Sequence, residues 1–188
     1  AETAKGAFEG RILINAAGAW VDEVARMAGV VSPGFTPMRR SMARIPAPDG
    51  LDVSGWPMVF GVGESWYCKP DAGAMIVSPA EEHPMDPHDA WADDMVLAEG
   101  LARYEARMTA PVTRLLASWA GLRTFAPDRV PVIGFAPRRD DYFWLAGQGG
   151  YGFQTAPAIS AFVAERIGGH PSGVGAGIAA AVDPARFA

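Results

Sequence analysis

Apolar residues recur along this chain with two different periods, and the switches between them mark its elements. Residues 11–29 open on the apolar run Ile12-Leu13-Ile14 and pass through Ala16-Ala17-Gly18. Val21, Val24, Ala25 and Ala28 then follow at helical spacing before Gly29. This pattern predicts a strand, a tight glycine turn and a helix stopped by glycine. A strand so apolar calls for burial on both faces, the environment of a parallel sheet. From 37 to 79 the texture changes to short segments cut by Pro, Gly and Asp. PMRRSMARI, WPMVFGV, SWYCKP and GAMIVS read as antiparallel strands, the last two joined by turn chemistry at Asp71-Ala72-Gly73.

Residues 90–108 carry Met95, Val96, Leu97, Leu101, Tyr104 and Met108 on an amphipathic helical pattern that Pro111 ends. VTRLLASWAGLRTF, VPVIGF and DYFWLAG form a second β region. After it, residues 147–152 open a helix that runs to about Ile167 and is closed by Gly168-Gly169. The small-residue run at 173–182 is half of the roughly 20 residues a bilayer span needs, and is expected to be a loosely ordered tail. The predicted fold is a mixture of α+β and α/β. An antiparallel sheet with helices is flanked by two fragments of one α/β layer.

Composition narrows the function classes. Apolar residues make up 49% and charged residues 20%, as in soluble globular proteins. A net charge of −5 leaves no basic footprint for nucleic acid or an anionic membrane. One cysteine, Cys68, excludes an intramolecular disulfide and suits a reducing compartment; on its strand it reads as a small buried hydrophobe. The N-terminal AETAKGAFEGR lacks the apolar core of an export signal, so the expectation is a soluble, cytoplasmic protein.

The most conspicuous motif is GQGGYG at 147–152, a Gly-x-Gly-x-x-Gly between a strand and a helix. A nicotinamide fingerprint needs a βαβ unit and an acidic residue about 20 positions on, whereas this helix leads into HPSGVGAG. Two readings remain. Backbone amides at the helix N-terminus could receive an electron-rich group, or the glycines serve close packing. The INAAGAW turn at 14–20 leaves the same pair, with packing favoured. His83 and His88, with Glu81, Glu82, Asp86 and Asp89, have metal-type side chains but sit on a proline-broken loop without ligand spacing, and are discounted. Arg138-Arg139-Asp140-Asp141 reads as a solvated turn.

Three blocks together carry a resemblance. LINAAGAWVDEVARMAGV resembles a strand-turn-helix of glycine, sarcosine and D-amino-acid oxidases. WAGLRTFAPDRVPVIG and DYFWLAGQGGYGFQTAPA are similar to the C-terminal signature of the same D-amino-acid oxidase superfamily. The likeness covers about residues 11–168, and PMRRS, WPM and ESWYCKPDAG are most similar to D-arginine dehydrogenase-like members. It implies residues 1–30 as part of an FAD-binding domain, 31–125 as a substrate-binding sheet domain, 126–170 as the C-terminal part of the FAD-binding domain, and 171–188 as a tail. The superfamily's N-terminal fingerprint strand is absent from this sequence. A missing N-terminal segment of the same protein is therefore an expected partner. The implied activity is oxidation of the Cα–N bond of D-amino acids, basic or broad in range, by hydride transfer to FAD. The alternatives are a truncated, non-catalytic substrate-binding module and a glycine- or sarcosine-type amine oxidase.

The resemblance also assigns residues. Arg40, Tyr67 and Arg123 would hold the substrate carboxylate in one cavity, arginine forks being suited to bidentate recognition. Arg39 should point to the opposite strand face. Apart from the resemblance, Met58 and Phe60 alternate on one strand face and are the local candidates for the substrate side-chain wall, with ordinary core as the alternative; Gln148 would also face substrate. Gly147, Gln148, Gly149, Gly150, Tyr151 and Gly152 would line the flavin; Ala17, Gly18 and Trp20 would lie near the ADP portion. The strands at 12–14 and 142–146 are expected to border an open apolar groove onto which both glycine turns open, with direct pairing or an oligomer partner as the other possibilities.

Overall fold

In the computed structural model, which describes residues 1–48 and 51–188, the chain divides into two units, 1–36 with 123–188 and 37–122. The first unit begins with the small hairpin β1 (Glu2–Thr3) and β2 (Gly6–Ala7), then β3 (Leu13–Asn15) and α1 (Val21–Met27). The second carries most of β4 (Thr36–Pro46), then β5 (Val59–Phe60), β6 (Tyr67–Asp71), β7 (Ala74–Ser78), β8 (His83–Pro84) and α2 (Asp94–Glu105). Strand β9 (Ala117–Phe125) leads back into the first unit, which ends with β10 (Val132–Phe135), β11 (Tyr142–Ala146), α3 (Gly152–Gly168) and α4 (Ala176–Val182).

The first unit is built on a three-stranded sheet of order β10-β11-β3. β10 and β11 are antiparallel, and β11 runs parallel to β3 with Tyr142 opposite Leu13 and Trp144 opposite Asn15. Alternation explains why Tyr142–Ala146 is apolar throughout. Tyr142, Trp144 and Ala146 pack with Val21 and Ala25 of α1, and Phe143 packs with Phe162 of α3 and Val182 of α4. Each fully buried large side chain contributes about 1.5–3 kcal/mol.

Three expectations change here. The strands at 12–14 and 142–146 pair directly with each other instead of bordering an open groove. β3 is the outermost strand, so Leu13 and Ile14 stay 37% and 46% exposed and the expected two-sided burial is not met there. The run at 173–182, read as a loose tail, contains a helix whose Val182 is buried. Alanine is the strongest helix former, and Asp183 caps the following 3₁₀ turn by accepting from the Ala185 amide. Arg186 then fastens that turn to Asp128 at 2.7 Å and 3.2 Å. The pair holds the Asp128 carboxyl below its ordinary value.

In the second unit β4 pairs with β7, β8 and β9, and β5 and β6 extend the sheet beyond β7. Its core joins Ala43, Ile45, Cys68, Met75 and Val77 of the sheet to Leu97 and Tyr104 of α2. Burial pushes the Cys68 thiol above its usual value. Asp93 caps α2 by accepting from the Met95 and Val96 amides. The segment WPMVFGV, expected as a full strand, pairs only at Val59 and Phe60. Among the described residues no helix is long and apolar enough to cross a membrane.

α2 meets the end of β7 through Gly100, where an added Cβ would lie 2.5 Å from Pro79 Cβ and 2.7 Å from its Cα. Gly100→Ala should gain about 1 kcal/mol of helix propensity but lose roughly 1–3 kcal/mol to overpacking. A lowered urea midpoint is the expected result.

Candidate functional site

The long strand β4 divides its side chains between two faces. Pro37, Ser41, Ala43 and Ile45 are buried, while Met38, Arg40, Met42 and Arg44 lie half-buried between them. On this second face the Arg40 guanidinium carbon sits 5.7 Å from the Tyr67 ring centre. The Tyr67 hydroxyl donates to Met42 Sδ at 3.4 Å, and the Phe60 ring lies 5.7 Å from that of Tyr67. Arg40, Tyr67 and Phe60 therefore form one row, in which a cation stands beside aromatic faces. Arg39 goes the other way, as alternation requires, with Glu81 at 3.8 Å, Asp93 at 3.7 Å and His83 Nδ1 at 3.2 Å. Met58 and Phe60 are 42% and 54% exposed, so neither is ordinary core. Phe60 borders a surface cavity of about 510 Å³ with Val59, Gly61, Trp66, Arg103 and Met108.

Arg40 is placed by a break in the ladder. From Ala43↔Val77 to Arg39↔His83, β4 advances four residues while its partner advances six. Ser41 lies at this break, and side chains replace its missing backbone partners. Its amide donates to Glu81 Oε1 at 2.7 Å, and its carbonyl accepts from Ser78 Oγ at 2.8 Å. The excess is taken up partly at Ala80, whose φ is +57°. The Glu81 carbonyl accepts from Arg40 Nε at 3.0 Å, and Glu82 Oε1 lies 3.4 Å from an Arg40 terminal nitrogen. Of Glu81 and Glu82, discounted in the sequence as possible metal ligands, the first thus fixes Arg40 through its carbonyl and the second rests against the guanidinium. The available signal was Ser-Pro-Ala-Glu following an all-apolar strand.

In the first unit, parallel pairing brings the C-terminal ends of β3 and β11 to the same sheet edge, where ligands of parallel sheets bind. The buried Asn15 organises the turn after β3. Its amide nitrogen donates to the Val21 carbonyl at 2.8 Å and the Tyr142 hydroxyl at 2.5 Å, and its oxygen accepts from the Ala17 amide at 3.2 Å. Asn15 was missed in the sequence, although one polar residue ending an apolar run points to it. Gly18 follows with φ +57° and open space where a Cβ would project, and Trp20 is 40% exposed. Ala17 is half-buried.

The turn after β11 is more tightly held. Gly147 and Gly149 have φ of +73° and +54°, and the Gly149 amide donates to the Thr124 carbonyl at 2.9 Å. A Cβ on Gly149 would overlap the Phe125 ring, and one on Gly150 would meet the Arg123 guanidinium. Packing therefore accounts for Gly149, whereas the group opposite Gly150 is the movable end of a flexible side chain. Gln148 and Gly152 are half-buried, and Tyr151 is 52% exposed. Arg123 lies 5.4 Å from the Phe125 ring centre, so this arginine stands against the glycine turn of the first unit. Arg40 and Tyr67 belong to the second.

Comparison with known proteins agrees with this mixed fold. Residues 1–166 match the family described as FAD dependent oxidoreductase, and the chain belongs to that family. It is 29% identical over 172 residues to FAD-dependent oxidoreductase domain-containing protein 1 of Bos taurus, covering 83% of this chain and 35% of that protein. The L-proline dehydrogenase structure from P. horikoshii superposes with a TM-score of 0.78 at 26% identity, covering 99% of this chain and 49% of the other. The Geobacillus kaustophilus glycine oxidase structure gives 0.76 at 22% identity, covering 90% and 45%. The chain thus spans about a third of the length of the curated relative and about half of each solved chain.

The family's cofactor is FAD, and the residues present fit part of such a group. Two turns with left-handed glycines open at one sheet edge, one of them starting the 17-residue helix α3 with a guanidinium beside it.

The two turns should respond differently to an added methyl group. Gly18→Ala meets only the cost of a left-handed backbone, about 1 kcal/mol. Gly149→Ala adds an overlap with the buried Phe125 ring and should cost roughly 2–4 kcal/mol. Urea denaturation of both variants measures the difference; equal losses would show that the Phe125 contact does not constrain the turn.

Proposed function

We propose that this chain is the substrate-recognition and flavin-edge portion of a flavoenzyme that oxidises the Cα–N bond of an amino acid or secondary amine. The observation that carries the reading is Arg40, held on one sheet face beside Tyr67 in a member of an FAD-dependent family. FAD, when bound, supplies the acceptor for the hydride that leaves Cα. The chain's own work is orientation. The Arg40 fork and the Tyr67 hydroxyl would bind the substrate α-carboxylate, and resemblance extends that task to Arg123. Met58 and Phe60, both exposed, would meet the substrate side chain. Gln148 would contact the substrate as well.

The flavin would lie against 147–152, where amides at the start of α3 favour the negative charge that gathers on the ring as it is reduced. Ala17, Gly18 and Trp20 would face the ADP portion, and the open space at Gly18 supports a close approach there. β3 is an outer strand with exposed Leu13 and Ile14. This is the surface on which we would seat a further parallel strand from elsewhere in the same protein.

Substrate class is a finer question. The PMRRS and ESWYCKPDAG segments favour D-amino acids, basic or broad in range, by their likeness to D-arginine dehydrogenases. Fold similarity to a glycine oxidase supports a glycine- or sarcosine-type substrate equally well.

The full-length gene product should release flavin on denaturation and reduce an artificial electron acceptor with a member of a panel of D-amino acids, glycine and sarcosine. Arg40→Met should raise KM by roughly 10- to 150-fold, the equivalent of losing a charge-assisted pair worth about 1.5–3 kcal/mol. A full-length protein free of flavin would favour a non-catalytic binding module instead.

A further inference from the structure

The acceptors around Arg40 are unequal. Its Nε donates to the Glu81 carbonyl at 3.0 Å, an ordinary length. That carbonyl is itself immobilised, because the buried Glu81 side chain is bound to the Ser41 amide at 2.7 Å. The contact from an Arg40 terminal nitrogen to Glu82 is 3.4 Å, long for a charge-assisted bond, which normally measures about 2.7–2.9 Å. The Glu82 side chain is 33% exposed against 11% for Arg40. One acceptor therefore fixes the direction of the guanidinium. The other is a partly exposed carboxylate 3.4 Å from the end of the fork.

We propose that Glu82 is a specificity-determining residue: its carboxylate occupies the Arg40 fork as a displaceable stand-in and weakens binding of a ligand carboxylate there. This rests on the reading of Arg40 as the substrate carboxylate seat. An incoming carboxylate needs the terminal N–H groups that Glu82 addresses, and it brings a like charge close to the Glu82 carboxylate. Displacing Glu82 leaves Arg40 aimed, because the Glu81 carbonyl still holds Nε. The arrangement sets affinity without changing orientation, so it acts on KM and leaves kcat unchanged. It also disfavours ligands with a second negative charge near the carboxylate.

The test uses the full-length flavoenzyme and propionate, which carries a carboxylate and has no amine to oxidise. Propionate binding is read from the flavin absorption spectrum, alongside substrate kinetics. Glu82→Gln should tighten propionate binding and lower KM by roughly three- to tenfold at low ionic strength, with kcat unchanged. Glu82→Ser, which removes the charge by another route, should do the same, and high salt should shrink both effects. Unchanged or weaker propionate binding in both variants, with Arg40→Met still impaired, overturns the stand-in role and leaves the carboxylate seat intact. Propionate binding unaffected by Arg40→Met overturns the seat itself, and the stand-in with it.

Discussion

Two strands that run parallel cannot be joined by a hairpin, and in this chain the connection between β3 and β11 contains an entire second unit. The pairing of Leu13–Asn15 with Tyr142–Trp144 therefore decides where the chain must leave and where it must return. Asn15 secures that junction from inside. One buried amide joins the start of α1, the turn after β3 and the Tyr142 hydroxyl on the neighbouring strand. An apolar residue there would remove all three of these bonds, each typically worth about 0.5–1.5 kcal/mol. Both glycine turns of the candidate flavin edge depend on this parallel pair.

In the second unit the corresponding constraint is a ladder that stops and resumes. A continuous β4–β7 pairing would bond Ser41 to backbone groups; instead Ser78 and Glu81 supply an oxygen donor and an oxygen acceptor in their place. The two extra residues of the excursion bring the Glu81 carbonyl and Glu82 to the Arg40 guanidinium. Adjacent arginines thereby acquire different chemistry. Arg39 is tied among Glu81, Asp93 and His83, while Arg40 faces Tyr67. The period-two alternation of a strand separates them, and the bulged partner gives each its own acceptors.

What the amino-acid order determined by itself is whatever follows from local periodicity and punctuation. Alternation in PMRRSMARI assigns Arg39 and Arg40 to opposite faces, and Gly29 and Gly169 stop their helices in left-handed conformations. The apolar run Tyr142–Ala146 is consistent with a strand covered on both sides, which β11 is. Family membership was also legible, because the blocks that carry it are short and continuous. Tertiary structure alone decided what depends on partners distant in sequence. It made β3 an outer strand paired to β11, turned an alanine-rich tail into a helix docked on β10, and reduced WPMVFGV to a two-residue pairing. It also made Glu81 a buried surrogate for a backbone acceptor, where the sequence showed only a proline-broken polar loop. The physical reason is the same in each case. Periodicity reports which face of an element is apolar, but hydrogen-bonding and burial requirements are met by whichever distant group the fold brings within about 3 Å.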